Sequence, residues 1–236
     1  MYTRIINLES RPDRWARLKG LGIERFPAIV AKSATMSLRT LATFSSRKSH
    51  EALSGMGAVG CALSHIQVWK DFLDTDKELC AVFEDDVAIF DVAAYMHSAH
   101  TLKGDVRLLG WLGHIHPVRG NYDRKQKCVI PWPASRGFMG AHAYVLTRHA
   151  ARCLVSTALP LEMQVDYYLQ AVTWRDGLHM TTTTLPPIKQ VWTGGSNVFT
   201  ICFMCEPLYP IATGVILTLL LVLWFHYSTT AGTLNH

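Results

Sequence analysis

Apolar residues recur along most of the chain in short blocks that alternate between strand-like runs and helical spacing. Thr3 to Leu8 reads as a short buried strand, and Glu9-Ser10-Arg11-Pro12-Asp13-Arg14 then opens a helix with Pro12 in its first turn. Phe26 to Val30 is a second strand, and Ser33 to Gly55 is a polar, weakly periodic connection. Val59, Leu63, Ile66 and Leu73 have near-helical spacing, and Cys61, His65, Trp69 and Phe72 also lie close together on a helix surface. A helix apolar on so many sides is expected to be buried. Next comes the β-prone run Leu79 to Phe90, then a helix around Val92 to Leu102 and a strand from Val106 to Leu112. Ala141 to Leu146 reads as a strand, and Arg148 to Ser156 and Val165 to Thr173 as helices. Alternation of this kind predicts an α/β fold, a sheet covered by helices.

The last part of the chain breaks the pattern. No formally charged side chain occurs from Leu208 to Tyr227, and Ile211 to Phe225 is almost wholly apolar. At about 1.5 Å per residue this stretch matches the roughly 30 Å hydrocarbon thickness, so the expectation is a C-terminal transmembrane helix. Tyr209, Trp224 and Tyr227 stand near its ends, where an interfacial aromatic belt would lie. A buried core helix is the alternative. The organisation expected is a main domain over 1–200, a juxtamembrane segment over 201–207, the membrane helix over 208–227 and a short tail over 228–236. Met1 to Ser10 lacks the regions of a secretory signal, which points to a tail-anchored topology with the main domain in the cytosol.

Composition narrows the class. The 236 residues can hold one sizeable core, and a formal charge of +5 is spread along the chain rather than gathered in a stripe. This suits an enzyme handling an anionic small molecule, and nothing resembles a nucleic-acid motif. The six cysteines lack a disulfide-framework spacing, so a reducing compartment is the default. Cys202 and Cys205 form a lone C-x-x-C, which fits juxtamembrane packing or acylation better than zinc. The histidine pairs His97 and His100, and His114 and His116, have no accompanying ligand set and read as surface residues.

The chemistry concentrates at Glu84-Asp85-Asp86, three consecutive carboxylates closing an apolar run. Strand side chains alternate, so Glu84 and Asp86 should project to one side and Asp85 to the other. Adjacent anions in a sheet need compensation, and a hard divalent ion with oxygen ligands, Mn²⁺ or Mg²⁺, would supply it. A solvated acidic turn is the plainer alternative.

Several fragments in order change that balance: Ile5-Ile6-Asn7-Leu8-Glu9-Ser10-Arg11-Pro12-Asp13-Arg14, then Gly57-Ala58-Val59-Gly60-Cys61-Ala62-Leu63-Ser64-His65 with Trp69, then Phe83-Glu84-Asp85-Asp86-Val87, Gly140-Ala141-His142-Ala143-Tyr144-Val145-Leu146 and Val165-Asp166-Tyr167-Tyr168-Leu169. Together, from about Arg4 to Gln190, they resemble glycosyltransferase family 25, which includes lipopolysaccharide glycosyltransferases and procollagen galactosyltransferases. The resemblance implies a GT-A-type nucleotide-sugar-binding mixed sheet flanked by helices. It also implies a UDP-sugar donor (galactose or glucose), Mn²⁺ or Mg²⁺, inversion at the anomeric carbon, and a glycan, lipid-linked or protein acceptor.

Carried over onto this chain, Glu84, Asp85 and Asp86 match the metal-binding carboxylates, with Asp86 the principal ligand and Asp85 open between ligation and orienting its neighbours. Asn7, Arg11 and Arg14 stand where the nucleotide would be received, each arginine being phosphate contact or surface cation. Gly60 permits close backbone approach. Ser64 and His65 are candidates for donor contact or for holding the acidic loop, and Gln190 for the donor pocket. Asp166 is the candidate base for the acceptor hydroxyl, with metal or acceptor contact, or a helix cap, as competing roles. A membrane-anchored binding protein that keeps the fold without turnover is the alternative function. A signal sequence like that of the animal collagen-modifying relatives is missing, and a C-terminal anchor is not general in the family.

Overall fold

The computed structural model describes residues 1–31, 56–89, 92–112, 121–123, 128–130, 139–161, 163–183 and 188–191. The first strand, β1 (Tyr2–Asn7), leads through Leu8 to Arg11 into α1 (Pro12–Leu18), with Pro12 at the helix start, where a missing amide hydrogen costs nothing. A short 3₁₀ turn over Lys19–Leu21 ends on Gly22, whose φ of 69° suits a residue without Cβ. The chain then returns as β2 (Glu24–Pro27), parallel to β1. Next in the described residues come α2 (Met56–Leu73), β3 (Leu79–Glu84), β4 (Val87–Ala88), α3 (Val92–Thr101) and β5 (Val106–Leu112). The short strands β6 (Asn121–Asp123) and β7 (Cys128–Ile130) precede β8 (Met139–Thr147), α4 (Arg148–Ser156), α5 (Val165–Arg175), β9 (Met180–Thr183) and β10 (Lys189–Gln190).

Eight of these strands form one mixed sheet in the order β2-β1-β3-β8-β5-β9-β7-β6, and β10 pairs with β4 beside it. β1 is parallel to both β2 and β3, whereas β8 runs antiparallel to β3 and to β5. The strand order 2-1-3 therefore reverses direction at β1. In open α/β sheets such a reversal leaves a crevice at the carboxyl ends of the parallel strands. Here those ends are Asn7 and Glu84.

The sheet is covered on both faces, which explains why Cys80 to Phe83 is fully buried and reads as a continuous apolar run rather than an alternating one. Ile5, Ala81, Phe83, Leu109, Ala143 and Val145 pack with Leu18, Tyr95, Ala99 and Leu102 on one side. Phe83 and Tyr95 meet edge to face. On the other side α2 packs against α4 and α5, burying Val68, Trp69 and Phe72 completely.

The expected α/β sheet covered by helices is therefore present. β2 begins and ends earlier than the strand expected over Phe26 to Val30, because its partner β1 ends at Asn7, opposite Pro27. Two backbone contacts fix α2 over this segment. Ile29 N–H donates to Ser64 Oγ at 2.8 Å, and Ser64 Oγ donates to the Gly60 carbonyl at 2.7 Å. A Cβ on Gly60 would meet Ile29 O at 2.5 Å. Gly60→Ala removes a poor helix former yet is expected to destabilise by about 1–3 kcal/mol, because backbone rather than a flexible side chain blocks the space. Denaturant unfolding of the two chains, compared at equal slope, measures this.

Met1–Val191 forms one compact unit. Among the described residues no helix is long and apolar enough to cross a membrane. The segments 201–207, 208–227 and 228–236, with Cys202 and Cys205, lie outside the described residues, as do His114 and His116 and the connection 33–55.

Candidate functional site

At the end of β3 the chain turns through Asp85 and Asp86 into β4, and the three carboxylates part company. Asp85 goes to α1. Its Oδ1 accepts from Arg14 Nη1 at 2.7 Å, and its Oδ2 accepts from Asn7 Nδ2 at 2.7 Å and from the Leu8 amide at 3.3 Å. Arg17 donates to its carbonyl. Arg14 and Asp85 are both buried, so this is an interior ion pair that ties the first helix to the acidic turn. Of the two roles the sequence left open for Asp85, the contacts are those of orientation. Asn7 and Arg14, expected at a nucleotide, are the groups that hold it. Arg11 makes a forked pair with Asp13 at the surface, close enough to Asp85 and Asp86 to feel their charge.

Glu84 and Asp86 share a different environment. Glu84 Oε1 lies 3.2 Å from His65 Nε2 and accepts from the Cys61 thiol at 3.7 Å. Burial works against the Glu84 charge, but the His65 hydrogen bond and charge, with His142 behind them, outweigh it and the carboxyl stays below its ordinary range. Asp86 has less help. Its Oδ2 accepts from Gln190 Nε2 at 2.9 Å across the β4–β10 pair, while its Oδ1 is buried without a hydrogen-bond partner. Burial, followed by the negative charge of Glu84, pushes Asp86 up to about 7.

An orphaned carboxylate oxygen next to a second carboxylate is the donor set a hard divalent cation takes, so the residues fit the expected ion. Glu84 and Asp86 are the groups that would hold it. Gln190, expected at the donor pocket, lies against the acidic turn, where its side-chain amide donates to Asp86.

His65, fully buried on α2, is held from its other side: Nδ1 is 2.7 Å from Tyr144 Oη, and Trp69 Nε1 donates to the same oxygen at 2.9 Å. Of its two candidate roles, the described contacts are those of holding the acidic segment. Ser64 and Gly60 face the Ile29 backbone. Asp166 sits in the first turn of α5. Its Oδ2 accepts from the Gly140 amide at 3.0 Å, and its Oδ1 from the Tyr167 amide at 2.9 Å. Burial raises its pKa against those amides, and Glu84 adds to the rise.

Cys61, Tyr144 and His142 were not singled out by their sequence. Phe83 pairs with Ala143, so His142 stands across from Glu84 one step further along the antiparallel ladder. It is buried, packed over Gly110, where any Cβ would collide with its ring. Burial pushes its pKa down while Glu84 pulls it back. The signal available was the i, i+2 placement of His142 and Tyr144, two polar rings on one face of an otherwise apolar strand.

The profile of glycosyltransferase family 25 (LPS biosynthesis protein) matches residues 1–169. A "Glycosyltransferase 25 family member" of Drosophila pseudoobscura pseudoobscura is 32% identical over 95 residues, 35% of this chain and 15% of that protein. A "Putative glycosyltransferase" of Haemophilus influenzae is 27% identical over 139 residues, 56% of this chain and 46% of that protein. The chain thus spans less than half the length of both relatives. Among solved structures, the inositol-1-phosphate CTP transferase from T. maritima aligns over 80% of this chain and 69% of its own at 12% identity, with a TM-score of 0.41, too low to bear on fold or function.

Proposed function

Because the chain belongs to glycosyltransferase family 25, we propose that it transfers a hexose, galactose or glucose, from a UDP-sugar to an acceptor hydroxyl with inversion. The observation that carries this reading is the pair Glu84 and Asp86 at the carboxyl end of β3, with one Asp86 oxygen buried and unpartnered. A divalent ion held there, Mn²⁺ or Mg²⁺, would neutralise the charge on the departing diphosphate. Gln190 and His65 keep the two carboxylates in place from opposite sides. Arg11 and Arg14 add positive charge at the end of β1, where the anionic donor would approach.

Asp166 serves as base for the acceptor hydroxyl. Its buried carboxyl has a raised pKa, so it takes up a proton more readily than an ordinary aspartate would at neutral pH. Both of its oxygens already accept amide hydrogens, which fixes the direction of the remaining lone pairs. The apolar stretch 208–227 supports attachment to a membrane. On the cytosolic face of that membrane the domain would meet lipid-linked glycan or protein acceptors.

The test is transfer and hydrolysis with a panel of nucleotide sugars, with and without Mn²⁺ or Mg²⁺. Metal-dependent release of UDP from one donor is expected, and Asp166→Asn should lower transfer about 10²–10⁴-fold while leaving donor binding intact. Donor binding without turnover under every condition would instead mean a binding protein. No binding of any sugar nucleotide would remove the reading altogether.

A further inference from the structure

We propose that Cys61, His65 and Glu84 form a second cation site, selective for a thiophilic divalent metal with zinc preferred, which shares Glu84 with the oxygen-ligand site at Glu84 and Asp86. Cys61 and His65 are one turn apart on α2 and present their sulfur and Nε2 to the same carboxylate. Sγ lies 3.7 Å and Nε2 3.2 Å from Glu84 Oε1, and all the ligand atoms fall within 4.8 Å of one another. Tetrahedral zinc, at about 2.3 Å from sulfur and about 2.0–2.2 Å from nitrogen and oxygen, needs ligand separations of roughly 3.4–3.6 Å. Two of the three contacts are already there, and a small movement closes the third.

Two further observations point to a cation. The first is the support behind the histidine. Tyr144 Oη meets its Nδ1 and is itself held by Trp69, an outer contact that fixes the ring orientation and can accept the Nδ1 hydrogen when Nε2 takes a metal. The second is the field: Glu84, Asp166 and Asp86 all act on the Cys61 sulfur with negative charge, and no cation is ion-paired with Asp86 or Asp166 among the described residues. Zinc binding forms the Zn–S bond and releases the Cys61 thiol proton to solvent. Glu84 is partly exposed, which leaves the fourth position open to water. Thiolate and imidazole favour zinc over the manganese or magnesium that oxygen ligands select. Since Glu84 is common to both sites, occupancy by zinc should suppress sugar transfer; this consequence rests on the proposed function, but the binding itself does not.

The experiment uses the full chain carrying Cys202→Ser and Cys205→Ser, so that the C-x-x-C cannot contribute. Titration with Co²⁺ is expected to give a thiolate-to-cobalt charge-transfer band that saturates at one equivalent and vanishes on adding Zn²⁺. Cys61→Ser should abolish the band, and Tyr144→Phe should weaken zinc binding about 10–100-fold. X-ray absorption of the zinc-loaded chain with Cys61 intact gives a check that needs no variant at the site, and one sulfur among nitrogen and oxygen neighbours is expected. Absence of the band, its survival in Cys61→Ser, or a zinc shell without sulfur would overturn the proposal. Loss of transfer with every donor, alongside an intact cobalt band, would count against the proposed function and not against the zinc site.

Discussion

Asp86→Asn is expected to make the metal-free protein more stable at pH 8 while lowering metal-dependent transfer about 10²–10³-fold or more. The side chain keeps its shape, and Gln190 can still donate to the remaining oxygen. What disappears is a charge that the site holds at a cost. Burial and the neighbouring Glu84 push Asp86 up to about 7 from an ordinary value of 3.8. Between these two values the native state binds a proton that the unfolded chain has released. Stability therefore falls as pH rises through this window, and the loss is complete above about pH 7. Asparagine cannot ionise, so the variant and the parent should be alike near pH 4 and diverge by on the order of a few kcal/mol by pH 8. Manganese should reverse the ranking. An ion that binds only the folded parent stabilises it by about 2.7 kcal/mol at a hundredfold excess over its dissociation constant, and the variant should gain almost nothing. Thermal melts of both chains from pH 4 to pH 8, with and without Mn²⁺, measure all of this. Parallel curves would show that Asp86 is neither strained by burial nor a metal ligand.

That coupling of strain and function explains what was legible in the sequence. The strands and helices of the sheet could be read because β3, β5 and β8 are apolar runs and α4 and α5 have helical spacing; the limits of β5, β8, α4 and α5 moved by at most two residues, whereas the run expected to Phe90 breaks at the acidic turn after Glu84. The acidic triplet could be found because charge at the end of such a run conflicts with burial. Its internal division of labour was half legible. Strand alternation separates Asp85 from Glu84 and Asp86, but only the return of α1 across the end of β1 shows that Arg14 is Asp85's partner. Helical spacing already put Cys61, His65 and Trp69 together, but the addition of Tyr144 to the cluster was opaque for a related reason. Its members lie on α2 and β8, and their meeting depends on the antiparallel register that sets Val82 against Tyr144. Gly60 was noticed as a residue allowing close approach, and the approaching group is the backbone at Ile29.

Asp85→Ala should have the opposite effect to the neighbouring substitution, a loss of about 3–5 kcal/mol with no rescue by metal. Both changes delete one negative charge from adjacent positions, so net charge cannot account for a difference in sign. Arg14 and Asp85 are buried at 2.7 Å, and the alanine variant takes the counter-charge from a buried guanidinium and an acceptor from the Leu8 N–H and from the Asn7 amide, which keeps only the Arg11 carbonyl. For a domain whose stability is typically about 5–15 kcal/mol this is a large share, so the variant should be partly unfolded or markedly easier to unfold. Pairing it with Arg14→Met removes the buried charge that lost its carboxylate and should recover part of the loss, though the Leu8 N–H still lacks its acceptor. Transfer should fall in the single variant in step with the unfolded fraction, with KM for the metal unchanged in the molecules that stay folded. Denaturant unfolding of the two single variants and the double variant, each with a manganese titration, separates the roles. A fully stable Asp85→Ala chain that had merely lost affinity for manganese would return Asp85 to the metal and leave Arg14 free to meet a phosphate.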